Sequence, residues 1–378
     1  MSSCIAFDGS CLGGARPTGV ERAFLRTLQA LARMSPQRLV LFVPRDCHPS
    51  IRVGANGDCA LPARVEVRRL PRLPLPLWRR MLLPRQLEEV EAAVLLSPTT
   101  ALPPHAPCPM VATVHELPPK KRDDGEDSLL RALRQRRARL ALVPRAVRVI
   151  VPSDKTRAAL IAENPALADR VAVIAQPLGA AVLEEARTRL ARAVKGAVGS
   201  TTPYGSGLVF LGAARRRKNL ARIAEAYDQV PATLRAGHPF TWIGYEEHAP
   251  FAPRSAWRLL PPLDDSALCK ELCAAKGLVL ASCSEGFGLP ALEALAFGVP
   301  PLVARASAPA EYCAQLAVTC DPYDVASITE GLQRLLEDEA VAERASRLGP
   351  SLASAFTPEA TAAAWLALFD EVRTRQAP

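Results

Sequence analysis

Aromatic residues are scarce in this chain of 378 residues, at 5% of the total. Single-stranded nucleic acid is gripped by aromatic rings set among basic side chains. The scarcity therefore argues against a nucleic-acid partner, although the net charge is +9. That charge leaves anionic membrane surfaces and phosphate-bearing substrates open. No run of about 18 or more apolar residues occurs, so no spanning helix is expected. Met1–Phe7 holds no basic cluster leading into an apolar run, and a cytoplasmic location is expected. Paired cysteine motifs are also missing. The ten cysteines are scattered, and Cys269 and Cys273, at helical spacing, have no histidine beside them. Reduced, mostly buried thiols are expected rather than a metal site. Neither Gly-x-Gly-x-x-Gly nor Gly-x-x-x-x-Gly-Lys is present, which disfavours dehydrogenase and P-loop chemistry.

What is present is alternation. At 49% hydrophobic and 22% charged, the chain is composed like a soluble globular protein and is long enough for two cores. Val40–Val43, Ala93–Leu96, Val111–Val114 and Val147–Val151 are short apolar runs bounded by turn residues or charges. They read as buried strands of a parallel sheet. Helical patterns at Glu21–Ala32, Leu129–Leu142 and Asp154–Ala162 alternate with them. A second series begins after a stretch rich in Gly, Ser and Thr. Its strands are expected at Leu208–Leu211, Phe240–Ile243, Gly277–Ala281 and Pro301–Ala304. Its helices are expected at Leu220–Gln229, Ser266–Ala275, Pro290–Phe297 and Val325–Glu337. The fold class is α/β, with two Rossmann-like domains facing across a cleft. Residues 1–178 form the first domain, 179–206 a connecting segment with a helix at Ala180–Arg192, and 207–356 the second domain. Residues 357–378 form a last helix, started by Thr357-Pro358, that packs back on the first domain.

Ligands of open α/β sheets bind at the carboxyl ends of strands. The most informative such place is Ser284-Glu285-Gly286-Phe287-Gly288-Leu289-Pro290, between a strand and a helix. Gly286 and Gly288 let backbone come close to a ligand. The helix N-terminus offers amides and a positive dipole end to an anion such as a diphosphate. Glu293, in the first turn, has two acceptor oxygens suited to a ribose diol.

Glu285 and Glu293 have seven residues between them, and those residues read GFGLPAL. This arrangement resembles the signature of the retaining group-one glycosyltransferases, which have the GT-B fold. The resemblance implies that Glu285 lies at the donor sugar and Glu293 at the ribose. Gly286, Phe287, Gly288 and Leu289 would line the donor. Leu211-Gly212-Ala-Ala-Arg-Arg-Arg217-Lys218-Asn219 is similar to the family's phosphate loop. Lys218, with Arg217, would offset charge on the leaving diphosphate, whereas Arg215 and Arg216 read as a solvated face. Some members carry an arginine where this chain has Ala213. Cys320-Asp321-Pro322-Tyr323-Asp324 also matches the family pattern.

The first half matches more loosely. Thr18-Gly19-Val20-Glu21-Arg22 is similar to the family's early loop, where Gly19 would approach the donor phosphate or the acceptor. Val111-Ala-Thr-Val-His115-Glu116 resembles its "HD" strand end, with Glu116 in place of the aspartate. The resemblance implies that His115 contacts a sugar hydroxyl or a phosphate oxygen, and it makes Glu285, His115 and Lys218 the catalytic candidates. It implies a retaining transferase that moves a hexose-type sugar from a nucleotide-diphosphate sugar to a glycan or lipid-linked acceptor. Bacterial surface polysaccharide or lipopolysaccharide assembly is the setting by analogy. The nucleotide-sugar is a substrate, and no cofactor or metal is expected. A GT-B epimerase and a non-catalytic nucleotide-sugar binder are the alternatives from other classes; donor hydrolysis without acceptor separates enzyme from binder. Leu73–Arg85 mixes Leu, Trp, Pro and Arg, and either packs on the first sheet or touches the inner face of an anionic membrane.

Overall fold

The computed structural model describes residues 4–13, 18–45, 47, 61–71, 73–117, 137, 140–194, 205–245, 254, 257–313 and 315–375. The expected helix at Leu129–Leu142 and the polar stretch after Val194 fall largely outside these residues, as do Pro17 and Cys59. The chain divides into two compact units.

The first unit is built on a parallel sheet of seven strands in the order β3-β2-β1-β4-β5-β6-β7. These are β1 (Cys4–Asp8), β2 (Arg38–Pro44), β3 (Val65–Leu70), β4 (Ala92–Ser97), β5 (Met110–Thr113), β6 (Arg148–Val151) and β7 (Val171–Val173). β1, β5 and β6 are buried along their whole length, as expected of strands covered on both faces. The Gly19–Met34 helix opens with a capping box in which Thr18 and Glu21 bond each other's backbone amides, satisfying donors that the helix itself cannot. Phe24, Leu28 and Leu31 recur on its buried face and join Ile5, Phe7 and Leu41 in one core. The last helix, Pro358–Thr374, belongs to this unit. It packs on the Gly19–Met34 helix and sends Trp365, Phe369 and Val372 into the same core. Arg148, buried on β6, bonds Glu371 at its far end.

The second unit holds a parallel sheet of six strands in the order β10-β9-β8-β11-β12-β13. They are β8 (Gly207–Leu211), β9 (Phe240–Ile243), β10 (Arg258–Leu260), β11 (Ala275–Leu280), β12 (Pro301–Ala304) and β13 (Val318–Cys320). The Ala180–Val194 helix is part of this unit rather than a connection. It packs on the Glu339–Ser354, Leu289–Ala296 and Asp265–Cys273 helices. Its Arg189 donates to the Phe297 carbonyl at 2.8 Å.

In each sheet the chain works outward from a central strand and then returns to the strand's other side. The switch points fall between β1 and β4 and between β8 and β11. Loops splay apart there and leave a crevice at the strand carboxyl ends.

Trp365 is 6% exposed and packs edge-on to Phe369. Truncating a buried tryptophan costs about 3–5 kcal/mol. Trp365→Ala is expected to lower stability by that amount in urea unfolding. A change under about 1 kcal/mol would show that the last helix is not fastened through this core.

Candidate functional site

The switch point of the second sheet gathers the two motifs that the sequence singled out. β8 is followed by Gly212, whose φ of +139° is disfavoured for any residue with a side chain. Its carbonyl accepts from Trp242 Nε1 at 2.8 Å, which anchors the loop's first turn. The chain then passes through Arg215–Lys218. Arg215 and Arg216 face solvent, while Arg217 and Lys218 turn inward. Asn219 follows in the left-handed region, at φ 65°. Its side-chain amide donates to the Ala281 carbonyl at 3.0 Å and the Pro322 carbonyl at 2.6 Å. One buried amide thus ties the basic loop to the end of β11 and to the Asp321-Pro322 segment after β13.

β11 runs into the Ser282–Gly288 loop and then the Leu289–Ala296 helix. Gly288 precedes the helix at φ +84°. A Cβ there would stand 2.3 Å from Pro309 Cγ, so glycine is required by both backbone and space. The loop is fastened from behind by Tyr312, whose hydroxyl donates to the Phe287 carbonyl at 3.0 Å and the Gly288 carbonyl at 2.8 Å. Burial holds the Tyr312 phenol well above its ordinary range, so it remains a donor at any working pH. The Phe287 ring packs against Tyr312 and Phe356, with centroids 5.4 and 5.9 Å away. The side chains of Phe287 and Leu289 are therefore buried, and what these residues offer a ligand is backbone. Glu293 lies one turn into the helix and is 8% exposed.

Glu285 is the electrostatic centre. Its side chain is 8% exposed, that of Lys218 12% and that of Arg217 26%. Oε1 of Glu285 accepts from Lys218 Nζ and, at 3.0 Å, from Ser282 Oγ. Arg217 Nη1 is 3.7 Å from the same oxygen and donates to the Ser284 carbonyl at 3.3 Å. The Cys283 amide returns a bond to the Arg217 carbonyl at 2.8 Å. Burial works against the charge on Glu285. The Lys218 and Arg217 cations, with the bonds from Lys218 and Ser282, outweigh it and hold the carboxyl below its ordinary range. The site thus presents an ionised carboxylate and two cations beside a helix N-terminus.

In the first unit, His115 and Gln176 form a separate polar cluster. His115 Nε2 is 2.8 Å from the Pro98 carbonyl oxygen, and Nδ1 is 2.9 Å from Gln176 Nε2. Burial keeps this imidazole below the ordinary histidine range. Gly19 opens the Gly19–Met34 helix, and an added Cβ there would meet nothing within 4 Å; crowding inside the chain does not explain that glycine. Leu75–Glu89 is helical, with a π-type turn at Trp78–Leu82. Trp78, Leu83 and Leu87 are buried against the first sheet, while Leu75, Leu77 and Met81 are exposed. Arg79 reaches back to Asp8 Oδ2 at 3.2 Å and Ser10 Oγ at 2.7 Å.

The sequence reading named Glu285, Lys218 and Arg217, and the structure brings these three together. It missed Ser282, Tyr312 and Gln176, and it assigned Asn219 no role. Asn219 stands directly after Lys218, and an asparagine ahead of a helical run is a turn signal. Tyr312 carries no local signal, because its partners lie about 25 positions away.

Two family models match the chain. The one described as "Glycosyl transferases group 1" covers residues 206–351, and "Glycosyltransferase Family 4" covers residues 17–178. The chain is similar to the O-antigen chain mannosyltransferase B of Escherichia coli. Identity is 29% over 160 residues, which is 40% of this chain and 42% of that protein. The match thus spans about two fifths of that curated relative. Among solved structures, a sucrose-phosphate synthase from Thermosynechococcus elongatus superposes with a TM-score of 0.72 at 17% identity, covering 99% of this chain and all of that one. The Anabaena HepE protein in complex with UDP-glucose does so with a TM-score of 0.68 at 14% identity, covering 97% and 99%. Residues 206–351 thus belong with the group 1 glycosyltransferases and residues 17–178 with glycosyltransferase family 4, and the chain has the GT-B fold.

A carboxylate whose folded pKa is depressed stabilises the fold above the ordinary carboxylate range, and this is lost as pH falls through the folded value. Glu285→Gln lacks that titration. The stability difference between wild type and Glu285→Gln should therefore shrink as pH falls from about 5 to about 2, measured by urea unfolding. A constant difference would mean that Glu285 is not held ionised.

Proposed function

We propose that this chain is a retaining glycosyltransferase that moves a hexose-type sugar from a nucleotide-diphosphate sugar to a hydroxyl of a glycan or lipid-linked acceptor. The observation that carries the reading is the buried Lys218–Glu285–Arg217 cluster at the switch point of the second sheet. The relative named as an O-antigen chain mannosyltransferase favours a setting in bacterial surface polysaccharide or lipopolysaccharide assembly, at the cytoplasmic face of the membrane. The neighbour in complex with UDP-glucose favours a nucleotide-sugar donor.

The chemistry follows from the charges. The diphosphate lies at the N-terminus of the Leu289–Ala296 helix and against Lys218 and Arg217, and Glu293 takes the ribose hydroxyls. As the bond from the anomeric carbon to the diphosphate oxygen breaks, negative charge grows on the leaving group. Lys218 and Arg217 offset it without reorganisation. Their pairing with Glu285 then loosens, and the Glu285 carboxylate faces the positive charge that develops on the sugar. The acceptor oxygen bonds the anomeric carbon on the face the diphosphate leaves, and its proton passes to the leaving phosphate oxygen. The protein's contribution is positioning and charge stabilisation, with no resident metal or cofactor required. His115 and Gly19, in the first unit, are further candidates for contact with the substrates.

Glu285→Gln and Lys218→Gln should each lower the turnover number by about 100-fold or more, assayed as nucleoside diphosphate release with acceptor present. The melting temperature is followed in parallel, because removing one partner of a buried pair costs about 3–5 kcal/mol. Turnover near the wild-type value in either folded variant would remove these residues from the mechanism.

A membrane-borne acceptor is favoured by Leu73, Leu75, Leu77 and Met81. These account for four of the eight exposed large hydrophobic side chains among the described residues. Residues 64–89 carry seven arginines against three glutamates, and Arg80 and Arg85 are exposed beside the apolar ridge. Such a surface suits an anionic bilayer, where each basic residue adds about 1 kcal/mol. The chain should float with vesicles containing anionic phospholipid at low salt, and Leu77→Glu/Met81→Glu should stay in solution. Equal flotation of the two proteins would rule out this contact.

A further inference from the structure

The His115 cluster fixes more than a position. A carbonyl oxygen can only accept, so the 2.8 Å contact with Pro98 puts the ring proton on Nε2. Nδ1 then carries a lone pair, and the Gln176 amide must be the donor across the 2.9 Å contact. Gln176 is itself held in place. Thr361 Oγ1, from the last helix, donates to the neighbouring Ala175 carbonyl at 3.0 Å, and Pro177 stiffens the other side.

The surroundings keep this arrangement neutral. His115 and Gln176 border a cavity of about 30 Å³ at the carboxyl end of the first sheet. The residues facing it from the Gly19–Met34 and Pro358–Thr374 helices, among them Phe24, Thr27 and Trp365, are uncharged. So are those from the segments after β4, β6 and β7. Glu116 follows His115 directly in the sequence. Thr113, which is 4% exposed and lines the cavity, has an Oγ1 with no hydrogen-bond partner. A buried hydroxyl without a partner is costly unless a water or a ligand group satisfies it.

We propose that Gln176 is a positioning residue for His115. With the Pro98 carbonyl, its amide holds the ring in the Nε2–H form, so that Nδ1 is the ring's one acceptor, and the ligand group that takes the place of the Gln176 amide there is a hydroxyl rather than a phosphate oxygen. The reasoning is one of donors and acceptors. With Nε2–H committed to Pro98, the ring has no proton to give a phosphate. Nδ1 can accept from a sugar hydroxyl once Gln176 gives way, and Thr113 Oγ1 can then bond the same group or a water beside it. This deepens the glycosyltransferase reading and rests on it for the identity of the hydroxyl, but the tautomer does not depend on activity.

The test is nitrogen NMR of the histidine rings in the full chain, with His115→Asn to assign the signals. Wild type should hold the neutral Nε2–H form of His115 at about pH 6.5, where an ordinary imidazole is half protonated, because burial holds its pKa below the ordinary value. In Gln176→Glu the new carboxylate cannot donate to Nδ1 and instead draws a proton onto it. The midpoint of His115 should rise by about 1–3 pH units, and the acid limb of the transfer rate should move up with it. In Gln176→Leu the Pro98 carbonyl still accepts from Nε2, so the tautomer should persist, but Nδ1 loses its donor and its signal should shift toward that of an unbonded ring nitrogen, a shift that Gln176→Asn should partly reverse. An unchanged midpoint in Gln176→Glu, or an unchanged Nδ1 signal in Gln176→Leu, would overturn the positioning role. In wild type a nucleotide-sugar donor should shift the Nδ1 signal and its nucleoside diphosphate alone should not. A shift from the nucleoside diphosphate alone would overturn the assignment of a hydroxyl. If wild-type protein releases no nucleoside diphosphate from any donor, the glycosyltransferase reading fails, while the tautomer result stands or falls separately.

Discussion

An ionised carboxylate nearly out of reach of water is the constraint on which the second unit turns. Glu285 is tolerable there only because Lys218, Arg217 and Ser282 converge on it. A buried charge with a partner missing costs several kcal/mol, so the loops after β8 and β11 cannot drift apart in the unliganded chain. Asn219 bolts the same loops together with a neutral amide, and Tyr312 braces the β11 loop from the far side. The unliganded cluster thereby stores the charges that a diphosphate and an electron-poor sugar would use.

Topology explains why these groups can meet. Lys218 and Glu285 are 67 positions apart, yet they follow adjacent strands at the point where the sheet's order reverses. The first sheet repeats the device between β1 and β4, with Asp8, Ser10 and Arg79 at its crevice. His115 and Gln176 stand further along that sheet, after β5 and β7. The first unit thus holds a neutral cluster and the second an ionic one.

Much of this was legible in the sequence, and what was not follows a physical pattern. The central strands β2, β4, β5, β6, β8, β9, β11 and β12 announce themselves as apolar runs because both faces are covered. The four strands that were missed at the sheet edges, β3, β7, β10 and β13, have one side unpaired and are short or charged, as with Val-Glu-Val-Arg-Arg-Leu of β3. Edges are blunted in this way against pairing with other chains. β1 was also missed, although it is buried along its whole length. The Ala180–Val194 stretch read as a connection because polar residues follow it, whereas its apolar face packs into the second unit. The site was legible where spacing within one loop carries the meaning, as from Glu285 to Glu293. It was not legible where a distant side chain acts on backbone, as Tyr312 does on Phe287, or where a bond joins separate loops, as between Gln176 and His115.

Binding of donor to the wild-type chain tests the central claim most directly, because a ligand that binds only the folded state raises the melting temperature by mass action. Thermal unfolding across a panel of nucleotide-diphosphate sugars should show a saturable rise for at least one of them, abolished by Lys218→Gln. No rise with any of the panel, or an equal rise in Lys218→Gln, would contradict a donor site at the β8–β11 switch point.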